Sequence, residues 1–297
     1  MKIAVLADIH GNLAALQAVL NDIEQWQPVR TIVAGDIVNG GPDNVACWSA
    51  LEEKQSKRGW LLLRGNHEEY VAEWLTGERP SSPALFELQR PSYHTFLQMG
   101  ALAPALAALP DRFGWQAPDG SSLLTLHASI WGSRTGIYPW TPAGEMRKRL
   151  APYPAVFATA HTHVPFVRQV DDTLLINVGA VGLPGDGDSR ASYGRLTWTQ
   201  KEGWRAALRR VPYDHGHAEA AFAGADFLAA AGPIALLTLV ELRIARDVKT
   251  SWAQGYRRLI LQGELSVAAS VRSFLTEEKL AQHLPSHHRI AEQATDG

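Results

Sequence analysis

Apolar positions early in the chain come in short runs that stop abruptly on polar residues. KIAVLA (2–7), TIVAG (31–35) and WLLLRG (60–65) each have the length of a buried strand. Between the first two, NLAALQAVLNDIEQW (12–26) carries apolar residues at 13, 16, 19, 20 and 23, the period of a helix with one buried face, and Asn12 stands where an N-cap would. Residues 44–56 predict a second helix, so the chain begins strand–helix–strand–helix–strand, the pattern of a parallel sheet with crossover helices. Residues 68–110 are mostly helical in pattern, broken by ERPSSP. The character then changes. RFGW, SLLTLHA, AVFATA, PFVRQV, TLLINVG, SYGRLTW and WRAALRRV are short runs separated by Gly, Pro and Asp, which predicts a second sheet packed on the first. Residues 216–297 return to a helical, Ala/Leu-rich pattern that ends in a polar tail, and no internal repeat is evident.

Composition narrows this picture without redirecting it. With 297 residues, 46% hydrophobic and 20% charged, the chain can bury a core as one large domain or as a domain with an appendage. Cys47 is the lone cysteine, which excludes an intramolecular disulfide and a Cys-x-x-Cys metal knuckle. A formal net charge of −2 with no long basic run argues against nucleic acid and acidic membrane as partners. The start, MKIAVLADIHGN, has the pattern of a strand rather than of a signal peptide. The most apolar window, FLAAAGPIALLTLV (227–240), is too short to span a bilayer and has Gly-Pro at its middle, so a cytoplasmic protein is expected.

The predicted strands end in chemically rich residues. The first delivers Asp8 and His10, the second Asp36, and the third Asn66, His67 and Glu68; later runs end in His127 and in His161 with His163. Ligands gather at the carboxyl ends of parallel strands. The His-x-His pair, read as extended backbone, aims both rings to one side and suggests a metal as their shared target. Two Asp, one Asn and four His, with His67 besides, exceed what one tetrahedral ion needs and suit two ions that share Asp36 as a bridge, since a carboxylate offers two oxygens. Mixed nitrogen and oxygen donors without sulfur fit Mn, Fe, Co, Ni or Zn.

ADIHGN, GDIV, RGNHE, the lone later His127 and AHTH together resemble the calcineurin-like metallophosphoesterase superfamily. NVGAVGLPGDGDSRASY (177–193) resembles the segment after the His-x-His motif in its small bacterial phosphodiesterase branch, the diadenosine-tetraphosphatase-like proteins. The resemblance covers about residues 1–200. It implies a four-layer αββα sandwich; the helical pattern of the remainder adds the expectation of residues 1–211 as the catalytic domain and 212–297 as a helical C-terminal extension packed on the core. The resemblance also implies a ligand set. Asp8, His10, Asp36 and His163 would take one metal, and Asp36, Asn66, His127 and His161 the other, with His67 as proton donor or transition-state contact. Three positions depart from the pattern. Ala160 replaces the usual Gly before His-x-His; Asn39 and Gly40 stand in GDIVNGG where protein Ser/Thr phosphatases carry Asp and Arg; and the chain beyond about residue 212 is unaccounted for.

The activity implied is hydrolysis of small-molecule phosphodiesters, nucleotides among them, by hydroxide held between two divalent transition-metal ions such as manganese. The alternatives are a phosphomonoesterase, a dinucleoside polyphosphate hydrolase, or a scaffold of the same fold without catalysis. Arg190 and His94 are candidate substrate contacts, with a salt bridge to Asp186 or Asp188 and a helix cap as their plain readings. The apolar face of ALLTLVELRIARDV (235–248) leaves open a homo-oligomer through the C-terminal helices. His215, His217, His283, His287 and His288 are assigned to solvated surface, and the ten tryptophans are too scattered to form a nucleic-acid stacking platform.

Overall fold

The computed structural model describes residues 1–284. The first strand, β1 (Lys2–Leu6), leads into helix α1 (Leu13–Trp26), capped as expected by the Asn12 side chain on the Ala15 amide. Strand β2 (Arg30–Val33), helix α2 (Asn44–Arg58) and strand β3 (Leu61–Leu62) follow. The three strands pair in parallel. β3 is far shorter than the apolar run 60–65 suggests. Its partner β2 ends at Val33, and the Arg64 amide turns away to the Pro110 carbonyl, so the ladder has nothing left to continue along. A helical stretch comes next: α3 (Asn66–Ala72), α4 (Pro83–Met99) and α5 (Ala103–Ala107).

Strands β4 (Arg112–Gln116) and β5 (Ser122–Leu126), helix α6 (Ala143–Leu150), and strands β6 (Val156–Thr159), β7 (Phe166–Val170) and β8 (Thr173–Asn177) build the second sheet, in the order β4-β5-β6-β8-β7. The last two strands, β9 (Ala191–Thr199) and β10 (Gly203–Val211), do not join it. They cross back and extend the first sheet to β10-β9-β1-β2-β3, with β9 antiparallel to β1, Lys2 opposite Thr197, and β10 antiparallel to β9. The strand-rich second half is therefore shared between both sheets rather than confined to one.

Side-chain alternation along β1 shows why two sheets pack here. Ile3, Val5 and Ala7 face Val156, Ala158, Ile176 and Val178 of the second sheet, while Ala4 and Leu6 face Leu16, Val19 and Leu51 of the helices behind. On the far side, Phe157 and Leu175 cover Met146 and Leu150 of α6. The result is the expected α/β sandwich, helices–sheet–sheet–helix, with helices at its C-terminus.

Beyond Val211 come α7 (His215–Phe222), α8 (Ala225–Ala231), α9 (Ile234–Ile244), α10 (Lys249–Leu261) and α11 (Val267–Glu277). Gly232 and Pro233 split the apolar window 227–240 between α8 and α9, and no described helix is long and apolar enough to cross a membrane. These helices have apolar clusters of their own, one reaching Ala14 on α1 and another reaching Ala84 and Leu88 on α4. His287 and His288 lie outside the described residues.

Helix α1 is tied to the sheet at its far end by one carboxylate. Asp22 accepts from Tyr193 Oη, Arg195 and Arg209, each at 2.7 Å. Burial works against its charge, but the Arg209 and Tyr193 hydrogen bonds and the Arg195 charge outweigh it and hold the carboxyl below the usual range. A carboxylate depressed in the folded state stabilises fully above its unfolded pKa of about 3.9, and that contribution is lost as pH falls through the lower folded value. Asp22→Asn is expected to cost about 1–2 kcal/mol at pH 7. In urea melts the gap to the parent should close progressively below about pH 4.

Candidate metal centre

The strand-end residues meet at the end of β1, β2 and β6. Asp8, His10, Asp36, Asn66 and His127 are buried there, while His67, His161 and His163 are partly exposed at its mouth. Donor atoms fall into overlapping groups, each spanning less than 4.8 Å: Asp8–His10–His163, Asp36–His127–His161 and His10–Asp36–His67.

The backbone there is unusual. Six of the ten non-glycine residues with positive φ among those described belong to this region: Asp8, His10, Asp36, Asn39, His161 and His163. Such conformations are costly and persist only where the surroundings enforce them. The enforcement is visible. The Asp8 amide donates to the Gly35 carbonyl, and the Ile9 and His10 amides both donate to the Asp36 carbonyl. Gly35 and Gly65 let the two turns touch; a Cβ on Gly65 would sit 2.2 Å from Asp36 Oδ1. His161 and His163 follow β6 in left-handed turns, not as extended backbone. They consequently do not share a target: His163 falls in with Asp8 and His10, His161 with Asp36 and His127.

The hydrogen bonds set the histidine tautomers. His10 Nδ1 donates to the Asn39 carbonyl at 2.8 Å, His127 Nδ1 to the Ala34 carbonyl at 2.8 Å, and His67 Nδ1 to the Asn39 carbonyl at 3.0 Å. A carbonyl oxygen only accepts, so the neutral rings of His10 and His67 turn an unprotonated Nε2 the other way, and His127 turns its Nε2 toward Asp36. His10 Nε2 lies 3.1 Å from His163 Nε2. His127 Nε2 lies 3.0 Å from Asn66 Oδ1 and 3.3 Å from Asp36 Oδ2. Asp8 Oδ1 is buried with no hydrogen-bond partner and stands 3.7 to 4.0 Å from the Nε2 atoms of His10, His127 and His163. Lone pairs facing lone pairs in a buried site call for a positive charge between them. The arrangement thus fits divalent cations on its own chemistry.

Protonation trends carry the same message. Burial pushes the Asp8 carboxyl well up, and pulls His10 well down, His67 and His163 to about 4 and His161 to about 3. His127 goes the other way. Burial opposes its charge, yet the Asp36 carboxylate outweighs burial and holds it at about 10. A proton on His127 there stands in for a cation.

Asp36 is more constrained than a two-oxygen bridge. Its Oδ1 accepts the His67 amide at 2.9 Å, which leaves Oδ2 alone, 3.7 Å from His10 Nε2 and 3.3 Å from His127 Nε2.

Of the two candidate substrate contacts, neither is brought into the cluster. Arg190 is exposed and holds Asp188 at 2.6 Å, the plain reading of that residue. His94 is mid-helix in α4, its ring 6.0 Å from Phe227 and its Nε2 buried without a partner. The segment 177–193 instead braces the centre: the Val181 and Gly182 amides donate to Ala7 and Asp8, and the Gly185 amide to His163.

Two contributors received no role in the sequence reading. One is the Asn39 carbonyl, a backbone atom no side-chain pattern reveals. The other is Glu68, fully buried, whose carboxylate accepts the Asp36, Ile37, Val38 and Gly65 amides at 2.7–3.2 Å. Burial and the nearby Asp36 charge raise it to about 7 against the pull of those amides. Its position three residues after the Gly65 N-cap was the available signal.

A two-sheet sandwich with such a donor cluster at its strand ends defines a metallophosphoesterase. The chain belongs to the calcineurin-like phosphoesterase family, whose model matches residues 1–165. Among its relatives, an uncharacterized protein of Methanocaldococcus jannaschii, MJ0912, is 28% identical over 71% of this chain and 88% of that one. The phosphodiesterase YfcE of Escherichia coli is 24% identical over 66% and 87%. A metallophosphoesterase from Sphaerobacter thermophilus superposes with a TM-score of 0.60 at 25% identity, covering 78% of this chain and 98% of the other.

Glu68→Gln offers one oxygen where the carboxylate offers two, leaving at least one buried amide unpaired at about 1–3 kcal/mol. A melting temperature lower by several degrees in calorimetry is expected; an unchanged one would show that the turn holds without this carboxylate.

Proposed function

We propose that the chain is a dinuclear metal-dependent phosphoesterase that hydrolyses small-molecule phosphodiesters, nucleotides among them. The observation that carries this reading is Asp36 Oδ2, free on one side and within 3.7 Å of ring nitrogens from both donor groups. Asp8, His10, Asp36 and His163 would hold one divalent ion; Asp36, Asn66, His127 and His161 would hold the second. Bound there, the ions supply Lewis acidity, which makes a water nucleophilic near neutral pH and neutralises charge on the phosphoryl oxygens.

The chain's own residues do the rest. Backbone carbonyls of Ala34 and Asn39 fix His127 and His10 with Nε2 inward. The Asn39 carbonyl also orients His67, whose Nε2 has no hydrogen-bond partner among the described residues and is the atom assigned to serve the leaving oxygen. That carbonyl does the orienting for which protein phosphatases use a carboxylate, which supports a small-molecule enzyme. Residues 1–211 carry every donor, and the region from 212 onward is assigned as an extension. Retention of the full donor set together with His67 speaks for catalysis rather than a scaffold.

Chelator-stripped protein should regain turnover of a chromogenic phosphate diester on addition of Mn²⁺, at a rate above that for the corresponding monoester. Monoester preference would instead make it a phosphomonoesterase, and no turnover of either with metal bound would remove the hydrolase reading. His67→Ala should bind metal like the parent in calorimetry. It should lose about 10²–10⁴-fold in turnover of diesters with poor leaving groups; parental turnover would sink the role given to His67.

A further inference from the structure

A cavity of about 350 Å³ opens beside His67 and Asn39, and its far wall is built by the C-terminal helices. Helix α4 forms one side with Leu85, Leu88 and Gln89, α9 adds Ile234 and Thr238, and α10 adds Lys249 and Arg257. Arg134, stacked 4.6 Å from the Tyr70 ring centroid, closes the rim. The charged residues lining the cavity are Arg134, Lys249, Arg257 and Glu73, three cations against one carboxylate.

Those cations differ in how they are held. Arg134 is paired with Glu73 at 2.9 Å. Lys249 Nζ lies 2.9 Å from Glu241 Oε2, while Glu241 Oε1 accepts the Val248 and Lys249 amides, so a buried carboxylate pins the lysine at the head of its helix. Arg257 is exposed and has no partner among the described residues. Lys249 lines the same cavity as His67 and Asn39, which sets its charge beside the centre.

We propose that this cavity is a subsite for a second phosphate carried by the leaving group, with Arg257 and Lys249 as its cationic anchors. The inference rests on the phosphoesterase reading for its location, because the group beyond His67 is the one that departs. It goes further in naming what departs: a small, nucleotide-sized fragment with a phosphate of its own. The volume suits a small ligand. Leu85, Leu88 and Ile234 in its lining give a non-polar body something to rest against. Arg257 supplies the planar fork that phosphate oxygens match.

Calorimetric titration of the Mn²⁺-loaded full chain with ADP and, separately, with inorganic phosphate tests this. Arg257→Ala and the double variant Lys249→Gln/Arg257→Ala should weaken ADP binding tenfold or more while moving inorganic phosphate far less. Arg258→Ala, one residue away and also exposed, should leave ADP binding as it was. Unchanged ADP affinity in both cavity variants, with the parental melting temperature, would overturn the subsite. An equal loss for ADP and inorganic phosphate would overturn the leaving-group assignment in favour of a site for the free anion. The titration needs no turnover, so a chain that binds ADP through Arg257 yet hydrolyses no diester would refute the phosphoesterase reading and leave the anion site standing.

Discussion

Three carboxylates, those of Asp8, Asp36 and Glu68, are buried together at the ends of the first strands, and the rest of the centre answers to that fact. Negative charge cannot be taken out of water without compensation. Glu68 finds it in four backbone amides, which locks the Asp36 turn to the start of α3. Asp36 finds half of it in the His67 amide and turns its other oxygen to two imidazoles. Asp8 accepts the His161 amide on Oδ2 at 2.9 Å and leaves Oδ1 with nothing. What remains uncompensated lies in one place, within 4.0 Å of the Nε2 atoms of His10, His127 and His163. Cation affinity is thus the residue of a folding problem that the protein side chains solve only in part.

That incompleteness explains the strained backbone. Positive φ at Asp8, His10, Asp36, His161 and His163 costs folding energy that a strand continuing straight would not spend. The sandwich sustains it because β1, β2 and β6 are interior strands with both faces packed, and because the turns at their ends bond to one another rather than to solvent. Precision at the centre is borrowed from a rigid core.

Much of this was legible in the sequence. The early βαβαβ unit, the two-sheet architecture and the residues that gather at strand ends all follow from periodicity plus polar residues at abrupt run ends. What stayed hidden has physical reasons. Nothing local distinguishes β9 and β10 from second-sheet strands, because strand partners are chosen by long-range packing. The left-handed turns at His161 and His163 escape a reading that assumes extended backbone, and with it goes the idea of one shared ion. The single-oxygen exposure of Asp36 depends on an amide 31 residues away. Arg190 was proposed because it lies in the resembling segment and His94 because the helical insertion could carry it to the site, but Asp188 holds the first and the ring of the second lies 6.0 Å from Phe227.

The C-terminal helices pose a different kind of question, since the family pattern ends well before them. Helices added only to pad the sandwich need an apolar face and nothing more. These spend a buried carboxylate, Glu241, to hold Lys249 at the edge of a cavity, a costly arrangement for a surface that solvent could have covered. They also pack on α4, so the wall opposite the centre is made from two segments distant in the chain, whose closeness depends on the clusters around Leu88 and Ile234. In this fold the candidate metal ligands are set by strand ends, while the walls of the neighbouring cavity come from α4 and the C-terminal helices. Such a division lets a strand-end centre stay constant while the cavity beside it changes, and the cavity walls lie in the part of the chain where sequence motifs are silent.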